Sequence, residues 1–193
     1  ASGRQPATAS LHPENAGIAV NERGAIVVDK RLHTTADNIW AMGDVTGGLQ
    51  FTYISLDDYR IVRDELLGEG KRSTDDRKNV PYSVFMTPPL SRVGMTEEQA
   101  RESGADIQVV TLPVAAIPRA RVMNDTRGVL KAIVDNKTQR MLGASLLCVD
   151  SHEMINIVKM VMDAGLPYSI LRDQIFTHPS MSESLNDLFS LVK

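Results

Sequence analysis

Hydrophobic spacing divides the 193 residues into stretches of different period. The runs G-A-I-V-V-D at 24–29 and N-I-W-A-M at 38–42 are short, apolar or β-branched, and bounded by turn residues, which predicts strands largely buried in a sheet. From 52 to 67 the apolar positions Ile54, Leu56, Tyr59, Ile61, Val62, Leu66 and Leu67 follow mixed helical spacing, and Gly68 and Gly70 supply stop signals, so a helix is predicted. Periodicity then disappears. The stretch G-E-G-K-R-S-T-D-D-R-K-N at 68–79 reads as an exposed, charged linker. It separates a first domain, residues 1–78, from a second, residues 79–193.

The second domain opens with a strand at 81–86, a turn at Thr87-Pro88-Pro89 and a short strand near 91–95. A helix follows, because Thr96-Glu97-Glu98-Gln99 is a capping box and Gly104 stands where a helix-ending glycine belongs. A strand at 107–114 precedes a hairpin that sets 129–134 against 141–147 across a polar turn at 135–140. Asp150, with Glu153 three residues later, starts a helix with Met154, Ile155, Val158, Val161 and Met162 on one face, ending at Gly165. Pro167 then begins a short helix. The order β, β, α, β, β, β, α, α predicts an α+β domain with an antiparallel sheet and helices on one face.

Composition narrows the function classes. Apolar residues make up 42% of the chain, enough to bury a core, and 21 basic against 24 acidic residues leave a formal net charge of −3. Well-mixed charge of this size gives no footprint for nucleic acid or for an anionic membrane surface. No run approaches the roughly 18 apolar residues of a membrane span, and no secretory leader pattern opens the chain, so a cytoplasmic protein is expected. Cys148, among Leu146, Leu147 and Val149, reads as a buried small hydrophobe in a reducing compartment. His12, His33 and His152 lie too far apart for metal-ligand spacing, and Met154, Met160 and Met162 suit packing. The loop-like opening, without an initiator Met, suggests part of a longer protein.

Two places carry possible chemistry. Gly43-Asp44 follows a predicted strand, where an Asp can accept hydrogen bonds from sugar or polyol hydroxyls while Gly43, Gly47 and Gly48 allow close backbone approach; the plainer reading makes them turns. The helix opening at Thr52 would aim N–H groups and partial positive charge at the same ligand. Near the C-terminus, Ile175-Phe176-Thr177-His178-Pro179-Ser180-Met181-Ser182-Glu183 places a histidine five residues before a carboxylate. Ser180 and Glu183 form a capping box for a helix containing Leu185, Leu188 and Phe189. Alternatively, His178 is a general acid/base oriented by Glu183. The two roles are compatible.

In combination these pieces resemble the flavoprotein disulfide reductases, a group dependent on FAD and NAD(P) that includes glutathione reductase, dihydrolipoamide dehydrogenase and mercuric reductase. Residues 1–8 (A-S-G-R-Q-P-A-T) are similar to the loop by which that chain returns to its FAD domain. Ile39-Trp40-Ala41-Met42-Gly43-Asp44 resembles the second FAD motif, which implies that Asp44 binds the ribityl chain and that the helix end at Thr52 faces the flavin pyrimidine edge. Residues 85–97 resemble the opening of the interface domain, and His178-Pro179-Ser180-Met181-Ser182-Glu183 its H-P-T/S-x-S/T-E motif. The resemblance implies a homodimer through residues 79–193, with His178 reaching the partner's flavin and redox cysteines.

Ile117-Pro118-Arg119-Ala120 and Asn124-Asp125-Thr126-Arg127-Gly128 look most like the mercuric reductase branch. The ending Ser190-Leu191-Val192-Lys193 lacks that branch's cysteine pair, and the His/Glu motif is one that mercuric reductases usually lack. The implied acceptor is therefore a small-molecule oxidant or a metal ion. The dinucleotide-binding glycines, the C-x4-C pair and the NAD(P) domain are not among the 193 residues, so this chain by itself is expected to be inactive. A purely structural dimerisation module is the competing reading.

Overall fold

The computed structural model describes residues 3–193, so Ala1 and Ser2 of the opening loop motif lie outside the described residues. The chain divides into two compact units, one ending at Arg77 and the other running from Lys78 to Lys193.

In the first unit the regular element is α1, Thr52–Leu67, which matches the predicted span and buries Ile54 and Ile61. The two predicted strands do not form ladders. Each contributes one bridge, Val20 to Ile26 and His33 to Trp40. An apolar run becomes a strand only when a neighbour pairs with it along its length, and among the described residues these two runs meet no such neighbour. Side chains satisfy much of the backbone instead. Asn21 Oδ1 accepts from the N–H groups of Arg23 and Ala25, and Asp29 Oδ1 from those of Arg31 and His33.

The charged stretch at 68–79 is tied down rather than loose. Asp64, in the last turn of α1, accepts from the backbone N–H of Lys71 at 2.7 Å and of Arg72 at 2.9 Å. Those bonds, led by that of Arg72 and outweighing the opposing desolvation, hold its carboxyl below the usual range. A 3-10 turn at Thr74–Asp76 follows, closed by a capping box from Ser73. Sequence periodicity missed this order because the fixing bonds go to backbone groups.

The second unit is built on an antiparallel sheet, β1 (Tyr82–Val84), β2 (Leu90–Gly94), β3 (Ile107–Pro113), β4 (Val129–Asp135) and β5 (Met141–Leu147), in spatial order β1-β2-β5-β4-β3. This is the predicted α+β arrangement. Alternation sends Leu130, Ala132 and Val134 of β4 to one face, where they pack with Leu112, Ala144 and Leu146. Helices α4 (Ser151–Asp163), α5 (Ser169–Asp173) and α6 (Ser184–Ser190) complete that core through Met154, Ile155, Val158, Leu171, Leu185, Leu188 and Phe189.

Not every helix shares this face. Lys131 points the other way and pairs with Glu97 of α2 (Glu97–Glu102) at 2.5 Å, which draws α2 over the opposite side. Thr96 closes the predicted capping box of α2. A short helix α3, Pro118–Val122, has no periodic signal and was not foreseen; Pro118 opens it and Ala120 anchors it. At α4 the predicted box fails, because Asp150 adopts φ 59° and its carboxylate makes no cap bond.

Close strand approach needs glycine at two kinds of place. Gly94 faces Gly143 in the ladder, and an added Cβ would sit 2.3 Å from the Leu142 carbonyl oxygen at Gly94 and 2.1 Å from that of Met95 at Gly143. Gly128 enters β4 at φ 109°, where a Cβ would lie 1.8 Å from the Leu147 oxygen. Replacing Gly128 by Ala should cost about 3 kcal/mol or more, since it combines backbone strain with a clash that β5 must move to relieve. Gly104→Ala, at φ 74° with open space around it, should cost only about 1 kcal/mol. Urea unfolding of both variants gives the comparison, and equal losses would show that the contact with Leu147 is unimportant.

Candidate functional site

The C-terminal site begins with α6. Leu185, Leu188 and Phe189 are buried, and Met181, 3% exposed, anchors the segment entering the helix. Phe176 packs against the edge of the same core. His178 therefore lies on a strap pinned apolar on both sides. Asn186 of α6 secures the strap from below, its amide reaching the carbonyl oxygens of Leu171, Arg172 and Gln174 at 2.8 to 3.0 Å. One side chain thus closes the end of α5 and sets the start of the strap.

Here the two sequence readings meet. Ser180 Oγ accepts from the Glu183 backbone N–H at 3.2 Å, but α6 starts at Ser184 with Glu183 at its N-cap, so this bond closes the turn ahead of the helix and the predicted capping box does not form. The Glu183 carboxylate turns to His178 and brings both oxygens to 2.9 Å from Nδ1. Glu183 is largely covered, its side chain 15% exposed, whereas that of His178 is 71% exposed. A carboxylate at Nδ1 holds the proton there, so Nε2 is left as an accessible lone pair that can take a proton and later return it.

In the first unit, Gly43–Thr46 forms a 3-10 turn closed by Gly47 at φ 73°. Gly43 itself has φ 78°, and a Cβ there would press on Ser55 Oγ of α1 at 3.0 Å. Gly47 is required by its turn and by Ala25, whose Cβ would be 2.7 Å from an added one. Asp44 is exposed and pairs with Arg4 at 3.2 Å. Behind the turn, Asp58 accepts from the Gly43 N–H at 2.7 Å and also pairs with Arg77. Burial pulls the Arg77 guanidinium down, but its hydrogen bonds to Asp57 and Asp58 leave it raised. Thr52 begins α1 after Phe51, whose side chain makes no cap bond, so the helix end is not closed by a side chain.

These groups suit a flavin. An exposed carboxylate accepts from polyol hydroxyls, and an uncapped helix N-terminus favours an electron-rich ring. Sequence reasoning named Gly43, Asp44, Thr52, His178 and Glu183, but not Asn186, Asp58 or Arg77. Asp58 carries a readable signal only as a charge on the apolar side of α1, next to Ile54 and Ile61.

Cys148 is fully buried beside Met154. Burial pushes its thiol up to about 12, with the charges of Asp150 and Asp125 adding to the effect. Alkylation with iodoacetamide at pH 8 should leave Cys148 unmodified in the native protein and label it fully in denaturant, as peptide mass spectrometry would show. Rapid native labelling would contradict the buried placement.

Among the described residues no helix is long and apolar enough to cross a membrane. Residues 80–189 match the pyridine nucleotide-disulphide oxidoreductase dimerisation domain, and residues 1–58 match the pyridine nucleotide-disulphide oxidoreductase family. The chain is 36% identical over 185 residues to a mercuric reductase of Staphylococcus aureus, covering 96% of this chain and 34% of that protein. It is 99% identical, with a TM-score of 0.99, to a solved Cu(II) complex of the HOCl-induced flavoprotein disulfide reductase RclA from Escherichia coli, covering 100% of this chain and 45% of that one. LpdA from Mycobacterium tuberculosis shares the fold at a TM-score of 0.88 and 24% identity, over 99% of this chain and 41% of that one. The chain thus spans less than half the length of the proteins it matches.

Proposed function

Because the chain belongs to the pyridine nucleotide-disulphide oxidoreductase family, which depends on FAD and NAD(P)H, we propose that it supplies the acid/base pair and dimer interface of such an enzyme. The observation that carries this reading is the two-oxygen seat of Glu183 on His178 Nδ1, with Nε2 left open. His178 Nε2 takes the proton from a redox cysteine as its thiolate forms, and returns it when the reduced thiol is released. Glu183 stabilises the imidazolium in between and fixes the tautomer that makes Nε2 the base.

That cysteine belongs to a part of the protein beyond these residues, and in a homodimer to the partner subunit. Asp44 would accept from the ribityl hydroxyls of a bound flavin, and the N-terminus of α1 at Thr52 would be turned toward its ring. When bound, the flavin supplies the two-electron transfer between pyridine nucleotide and the cysteine pair. Cytoplasmic residence fits the reduced cysteines this chemistry needs.

In the full-length flavoprotein, His178→Ala should lower cysteine-dependent turnover by about a hundredfold or more, while flavin reduction by the pyridine nucleotide persists. Glu183→Gln should give a smaller loss. Unchanged turnover across pH in His178→Ala would remove the assignment.

A metal ion as electron acceptor is the second reading, supported by the similarity to a mercuric reductase and to a flavoprotein solved with Cu(II). Steady-state assays of the full-length protein with disulfides and with Cu(II) or Hg(II) separate the two. Metal-dependent oxidation of the nucleotide, with no turnover of disulfides, is the outcome expected if the metal is the substrate. The purely structural reading of residues 79–193 requires His178→Ala to be without kinetic effect.

A further inference from the structure

Asp58 is an acid in an unusual setting. It lies about two turns into α1, on the same side as Ile54 and Ile61, and is only 2% exposed. A carboxylate withdrawn from water is costly unless it is both paired and hydrogen-bonded. Both conditions are met by groups far apart in sequence. One oxygen accepts from the Gly43 N–H at 2.7 Å, and the other pairs with Arg77. Arg77 is itself held by Asp57, its Nε 2.7 Å from Oδ2, and Asp57 also meets Arg72 at 3.0 Å. Two acids and two guanidinium groups thus form a compensated cluster beneath one turn.

The turn is the one that carries Asp44. Gly43 approaches α1 closely enough that an added Cβ would sit 3.0 Å from Ser55 Oγ. Thr46 Oγ1 closes it from the other side by donating to the Gly43 carbonyl at 2.9 Å. Without Asp58, the Gly43 N–H would point at the helix with no acceptor, and Arg77 would keep only Asp57 as a counter-charge.

We propose that Asp58, neutralised by Arg77, is a positioning residue for the flavin: it locks the Gly43–Asp44 turn to α1, so that the Asp44 carboxylate and the helix end at Thr52 meet the cofactor as one preorganised surface. The gain is entropic, since neither group has to be ordered by the ligand. This rests on the reading that Asp44 binds flavin, and the test keeps the two apart.

The experiment uses the full-length flavoprotein with Asp44→Ala, Asp58→Ala and Asp58→Asn. FAD dissociation constants, flavin absorption spectra and thermal midpoints are measured for each. Asp58→Ala should weaken FAD by about tenfold and shift the flavin spectrum although Asp58 does not touch the cofactor. Asp58→Asn still offers Gly43 an acceptor oxygen and should recover most of that affinity.

If Asp44→Ala weakens FAD while Asp58→Ala leaves both affinity and spectrum at the parent values, the positioning role is overturned and the cofactor reading stands. If neither variant weakens FAD, the cofactor reading falls and the inference with it. A lowered thermal midpoint with parental FAD affinity in both Asp58 variants would reduce Asp58 to a structural acid and also overturn the proposal. Should Asp58→Ala fail to fold, Asp58→Ser, which keeps a polar group but shortens its reach, takes its place with the same expected loss.

Discussion

Burial of one face of α6 against the sheet is the constraint from which the C-terminal site follows. Leu185, Leu188 and Phe189 have no accessible surface, and together they fix the rotation of the helix. Burying each such side chain is worth about 2 kcal/mol, far more than the hydrogen bonds of the strap. With that rotation set, Asn186 faces the end of α5 and Glu183, one turn earlier, faces back along the entering chain. His178 then has one low-energy place for its Nδ1 proton. The imidazole is mobile in principle, being well exposed, but its orientation is decided by a helix that is not.

The first unit solves the same problem with different means. Its apolar core is small, and its two apolar runs touch their neighbours only at single bridges. Polar side chains do the ordering instead: Asn21, Asp29, Asp58 and Asp64 each accept from backbone N–H groups. Such bonds are directional but individually modest. They specify turns well while contributing less to overall stability than the aliphatic core of the second unit.

This difference explains what could be read from the sequence. The hairpin of β4 and β5, α1, the Thr96 capping box and the apolar face of α4 were legible because each is written in local periodicity or a local cap. The strands at 24–29 and 38–42 were overread, since a buried apolar run does not reveal whether a partner lies beside it. α3 was missed because five residues carry too little period, and its anchors, Ile117 and Ala120, look like any short apolar stretch. At the site, His178, Glu183 and Asp44 were legible through motif resemblance, and the spacing of Ser180 and Glu183 left two roles open. The Glu183 carboxylate faces His178 Nδ1, a direction that spacing does not encode. Asn186 and Asp58 act on groups 12 or more residues away in the chain, where sequence spacing carries no signal.

The two proposed functional centres share a division of labour. In each, a covered carboxylate is spent on geometry and an exposed group faces the chemistry: Glu183 behind His178, and Asp58 behind the turn of Asp44. A buried acid is suited to this because its hydrogen bonds act in a low-dielectric surrounding and have few alternatives. An exposed acid in the same position would exchange its partners for water and hold nothing in place. The exposed member can then stay free to meet a proton or a hydroxyl, since its orientation is set by a better-covered neighbour.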